Sequence, residues 1–136
     1  MPPLHPPSVH FPIALAALSV FADVLGYWKN NASLHGAGWW ALAAACAGGV
    51  LAAMTGIFDS YRPSIGPSIL PYVRVHMYVG LSLVPVLSGL TYWRWRIFSE
   101  RSAMNRRYLF IAVCAVALVL FQGWLGGELV YSYGAG

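Results

Sequence analysis

GAGWWALAAACAGGVLAAMTGIF, residues 36–58, contains no charged side chain. A helix needs roughly 20 apolar residues to cross the hydrocarbon of a bilayer. Lipid offers no partner for open strand edges, so the stretch predicts a transmembrane helix. Working outward, three similar runs appear. Residues 9–28 are interrupted only by Asp23, residues 75–93 carry His76 near the start and Pro85 inside, and residues 108–127 are uncharged. Four spans nearly fill the chain of 136 residues, predicting one four-span domain over 1–136. Composition agrees: 59% of residues are hydrophobic and 9% charged, with a mean hydropathy of +0.63. A soluble domain carries about a quarter charged residues, which excludes that class. Six Trp, eight Tyr and six Phe exclude disorder, and two cysteines cannot make a disulfide scaffold.

The connections are short and rich in turn residues: KNNASLH at 29–35, SYRPSIGPSILPYVR at 60–74, and a polar, arginine-rich turn over 98–107. Short connections favour antiparallel neighbours, so the expected fold is an all-α integral membrane protein, a four-helix transmembrane up-and-down bundle. The first span opens on proline and histidine rather than basic residues and carries Asp23 where a cleavage site would need small residues. It is therefore expected to be a permanent span rather than a signal peptide. Lys29, Arg94, Arg96, Arg101, Arg106 and Arg107 fall on one side, and Arg62 and Arg74 on the other. The positive-inside rule then predicts a bacterial inner membrane protein with both termini periplasmic. This asymmetry accounts for the net charge of +4 without a nucleic-acid partner.

In such a bundle His10 and His76 begin the first and third helices, whereas Asp59 and Glu128 end the second and fourth. All four converge on one rim, the predicted outer one, with Arg62, Arg74, Tyr131 and Tyr133. Ionisable groups at membrane depth are costly and by default mark a site. Two imidazoles from separate helices are what a haem iron takes, one on each side of the porphyrin, and bundle cores hold cofactors in this way. The first and third helices are diagonal in a four-helix square, which leaves a central slot. Gly80, Gly123, Gly126 and Gly127, with Gly56 on the second helix, are expected to give a ring room. Arg62 and Arg74 are expected to pair with propionates. His10 and His76 are the expected axial ligands. His5, Asp59 and Glu128 are candidate supporting groups, and His5 is also a substitute ligand. Pro6 and Pro7 are expected to stiffen the approach, Ser8 to cap the first helix, and Pro12 to fall in or just beyond its first turn.

Plainer readings apply to other residues. Ala45, Gly49 and Ala53, and Gly123 with Gly127, fit small-residue helix packing. Trp and Tyr at span ends form an interface belt. Cys46 and Cys114 are small apolar residues. His35 is expected to be solvated in a loop, and Asp23 to pair with Lys29 or Arg94.

HPPSVHFPIAL at 5–15 and GGELVYSYG at 126–134, with an Asp closing the second helix and a His opening the third, resemble a bacterial membrane family known as domain of unknown function 2231. The resemblance covers essentially the whole chain. The matching residues are His5, Pro6, His10, Pro12, Asp59, His76, Gly126, Gly127 and Tyr131. It implies a four-span protein with a haem- or electron-transfer-linked role, of a kind sometimes fused to or encoded beside redox proteins.

The expected function is a b-type cytochrome-like membrane subunit binding one haem b near the periplasmic face. It would relay electrons within a larger redox complex, with lipid, other membrane subunits, and a quinol or a periplasmic cytochrome as partners. An electron-transfer or accessory subunit fits better than a stand-alone enzyme, for no Ser–His–Asp, CxxC or phosphate-loop pattern occurs. Two alternatives stand beside it. One is a cofactor-free structural or assembly subunit of a membrane complex. The other is a metal or proton site built from His10, His76 and Asp59 or Glu128.

Overall fold

The computed structural model describes residues 4–61, 66–100 and 103–134. It contains four helices, α1 (His5–Lys29), α2 (Ala32–Ser60), α3 (Leu70–Ser99) and α4 (Arg106–Tyr131), each long and apolar enough to cross a membrane. Among the described residues there is no strand. Every helix outruns the apolar segment that predicts it, because polar ends continue the helix into the headgroup region. At 1.5 Å per residue, the 30 residues of α3 span about 45 Å.

Local chemistry sets the ends. Only Asn30 and Asn31 separate α1 from α2. Asn30 takes the left-handed conformation (φ 49°) that closes α1, while the Asn31 side chain accepts from the backbone N–H groups of Ser33 and Leu34 and opens α2. Asn105 caps α4 in the same way through Arg107 N–H at 2.8 Å. In α3, Pro71 lies in the first turn, where a missing N–H costs nothing, so the helix begins well before Arg74.

The start of α1 differs from expectation. The helix begins at His5, and its donors are met by a side chain from another helix. Asp59 Oδ2, at the end of α2, accepts from Leu4 N–H and His5 N–H, both at 2.8 Å. Ser8 is not the cap; its hydroxyl turns back to the His5 carbonyl at 2.8 Å. Pro12 consequently sits inside the helix, its ring against Gly48 of α2.

The helices form a ring in chain order. Each packs on the next and α4 closes on α1, whereas the backbones of the diagonal helices stay apart among the described residues and α1 meets α3 through side chains. The α1–α2 pairing is the most extensive, and small residues make it possible: Ala16 and Ala45 are fully buried, and Ser19 donates to the Gly38 carbonyl at 2.8 Å. Side chains fill the bundle unevenly. Leu42, Leu90, Ile97 and Tyr108 form a core toward the α1–α2 turn, and Leu83, Leu87, Val116 and Val119 form another at mid-depth. Beyond them, where α1 begins and α4 ends, the interior is hollow. Large apolar side chains such as Phe11, Trp40, Phe58, Phe110 and Trp124 face outward, as a lipid-embedded surface requires.

Candidate functional site

The hollow end encloses a cavity of about 330 Å³, within the size range of ligand sites. His5 and His76 face it from diagonal helices, their ring centroids 6.0 Å apart and their planes at 76°. His5 Nδ1 lies 2.8 Å from the Ala52 carbonyl, and His76 Nδ1 lies 2.9 Å from Gln122 Nε2. Both rings are thus held through Nδ1, and neither Nε2 has a hydrogen bond with a described residue. Each ring rests on a glycine. A Cβ at Gly56 would stand 3.0 Å from His5 Cε1, and one at Gly126 would stand 2.9 Å from His76 Cε1.

His10 takes a different place from the one expected. It borders the cavity, but its side chain is exposed and its Nδ1 bonds the Pro6 carbonyl of its own helix at 2.8 Å. The reason is helical phase. Residues advance by about 100° each, so His5 and His10 on one continuous helix point about 140° apart. Because the helix already includes His5, it is His5 whose ring stands against His76.

Of the glycines expected to make room, Gly126 accommodates His76, Gly80 accommodates the Gln122 amide, Gly123 abuts Ile13, and Gly127 faces open space. Tyr131 is 88% exposed at the cavity rim. Arg74 is exposed and off the cavity wall, so it is not placed to hold a group inside. Arg62 lies outside the described residues. Asp59 borders the cavity but serves the backbone of α1, and Glu128 accepts from Ser132 away from the wall. Among the described residues no three His, Cys, Asp or Glu side chains gather into a metal-binding group. The His10, His76 and carboxylate set is therefore not assembled. Gln122, 8% exposed and bonded to His76, is the cavity residue that sequence reasoning missed. A lone amide in an otherwise apolar span was the available signal.

The opposite end of the bundle is closed by charge. Arg94 donates from Nε to Asp23 Oδ2 at 2.9 Å and from Nη2 to Oδ1 at 3.0 Å, with both side chains 1% exposed. Asp23 therefore pairs with Arg94, one of its two expected partners. His35 is no solvated loop residue: it lies in α2, its ring bonds Asp23 at 3.1 Å, and its carbonyl accepts from Arg94 at 2.5 Å. The cluster ties α1, α2 and α3 together. Gly38 makes space for it, since a Cβ there would stand 2.5 Å from Asp23 Oδ1.

One ion held from opposite sides by two imidazoles sets the ring centres roughly 6 Å apart, given metal–nitrogen bonds of about 2.0–2.1 Å. The His5–His76 spacing of 6.0 Å is compatible with that distance, and His5, whose Nδ1 faces the Ala52 carbonyl, keeps Nε2 for a ligating role; His76, with the Gln122 amide nitrogen against its Nδ1, would do so only with that amide turned.

Four spanning helices around a histidine-faced cavity define a multi-pass α-helical membrane protein with a site at one end. Residues 1–136 match the family described as predicted membrane protein (DUF2231), and the chain belongs to that family. No curated protein and no solved structure matches it.

Proposed function

We propose that the chain is a b-type cytochrome-like membrane subunit that binds one haem between His5 and His76. The observation that supports it best is the pair of imidazoles on diagonal helices, 6.0 Å apart across a cavity and each anchored through Nδ1. A haem supplies one-electron transfer when bound. The protein's part is to present two Nε2 atoms, to hold their rings by the Ala52 carbonyl and Gln122, and to keep the surroundings apolar.

The basic residues that crowd the Arg94 end support a cytoplasmic position for that end, and with it a cavity near the periplasmic face of a bacterial inner membrane. A site near one face does not carry electrons across the bilayer alone, which favours a relay role inside a larger redox complex. A quinol or a partner's haem would be the donor, with an acceptor on the outer side.

The visible spectrum of the purified protein tests this directly. A Soret band and a reduced α band are expected, with haem b by pyridine haemochrome. His5→Ala and His76→Ala each abolish the low-spin spectrum, while His10→Ala retains it. A correctly folded protein purified without haem overturns the reading and leaves the cofactor-free assembly subunit in its place.

A further inference from the structure

Gln122 is the chain's single glutamine, and its amide nitrogen lies 2.6 Å from the His76 carbonyl and 2.9 Å from His76 Nδ1. A backbone carbonyl only accepts, so the amide end turned toward it is the NH₂ group. One of its hydrogens serves the carbonyl and the other points to Nδ1, which must then accept. A neutral His76 in this setting carries its proton on Nε2. Opposite it, His5 Nδ1 faces the Ala52 carbonyl, another pure acceptor, so His5 carries its proton on Nδ1 and keeps a lone pair on Nε2. The two rings therefore form an acceptor and a donor rather than two equivalent ligands. Gln122 Oε1 is buried and has no hydrogen-bond partner among the described residues, an expensive state for an acceptor.

We propose that Gln122 is the positioning residue that assigns the proton on His76. In the ligand-free chain it keeps His76 Nε2 protonated and closed to a metal. Loading of a metal-centred group at His76 would require the reverse: the ring proton on Nδ1, and the Gln122 amide turned so that Oε1 accepts it and the NH₂ gives up the His76 carbonyl. No net charge changes on the ring. The loading step rests on the cytochrome reading above, whereas the tautomer assignment stands without it.

The test uses the full chain in lipid nanodiscs, with ring-¹⁵N-labelled histidine and two-bond ¹H–¹⁵N correlation spectra assigned through His5→Asn and His76→Asn. Without haem, the expected tautomers are Nδ1–H for His5 and Nε2–H for His76. Gln122→Met removes the His76 preference and leaves His5 unchanged. Gln122→Glu moves the His76 proton to Nδ1, because an ionised carboxylate only accepts, and a protonated one that donates its O–H to the His76 carbonyl keeps a lone pair for Nδ1–H. This variant should also bind added haem about tenfold more tightly than wild type, the lower end of the range for groups that orient a metal-ligating histidine. A wild-type His76 protonated on Nδ1, or a tautomer indifferent to Gln122→Met, overturns the proposal. If Gln122→Glu does not fold, the wild-type and Met spectra decide. A wild type that shows these tautomers yet takes no haem overturns the cytochrome reading and supports the assignment of Gln122.

Discussion

At the scale of single residues, the site depends on where side chains are missing as much as on where they are present. His5 and His76 occupy space that Cβ atoms at Gly56 and Gly126 would take. Gly126→Ala puts a methyl group 2.9 Å from His76 Cε1, closer than atoms pack. The expected outcome is a displaced ring and loss of the low-spin spectrum that the proposed haem would give, with helix content unchanged by circular dichroism. Gly127→Ala is the matched control: nothing lies within 4 Å of its Cβ, so spectrum and content should equal wild type. A Gly127→Ala variant as impaired as Gly126→Ala would show that α4 tolerates no added methyl there, and that the ring contact is not the cause.

At the scale of elements, α1 is started by α2. Asp59 supplies the acceptor that the N-terminus of α1 lacks in its own sequence, where Leu4 occupies the cap position. A carboxylate there also complements the helix dipole. Loss of a capping side chain costs about 1 kcal/mol. Asp59→Ala should therefore lower stability by roughly that amount in a denaturant titration in detergent. It should also fray the turn that carries His5, weakening retention of the proposed haem more than Glu128→Ala does. Asp59→Asn keeps an acceptor oxygen and should recover part of the loss. Unchanged haem retention in Asp59→Ala would mean that the first turn of α1 is held by other contacts.

At the scale of the whole molecule, the bundle is solid at one end and hollow at the other, and the solid end is where charge is buried. Arg94, Asp23 and His35 bring three helices to one point. Removing one partner of a buried ion pair costs about 3–5 kcal/mol, because the other charge is stranded, whereas replacing both with apolar groups is often close to neutral. Arg94→Met alone should thus destabilise the fold strongly, and Asp23→Leu combined with Arg94→Met should restore most of the loss. Thermal unfolding of the three proteins in one detergent measures this; a double variant no better than Arg94→Met would indicate that shape, rather than charge, dominates. Rigidity at that end leaves room for the empty interior at the other, since the ring of helices is pinned before it reaches the cavity.

Four spans, their antiparallel order and the gathering of histidines and carboxylates at one end follow from the amino-acid order alone. Apolar run length decides what enters lipid, and short connections decide the direction of each helix. The partner set of Asp23 was also legible, since few cations share its depth. The pairing of His5 with His76 was not. It depends on the rotation of α1, which the trans cap from Asp59 and the Pro12–Gly48 contact determine. Nor could Gln122 be matched to His76, or His35 to Asp23, because these meetings join residues on different helices. Local sequence specifies how long a helix is and what faces it has; only packing against its neighbours decides which face looks inward.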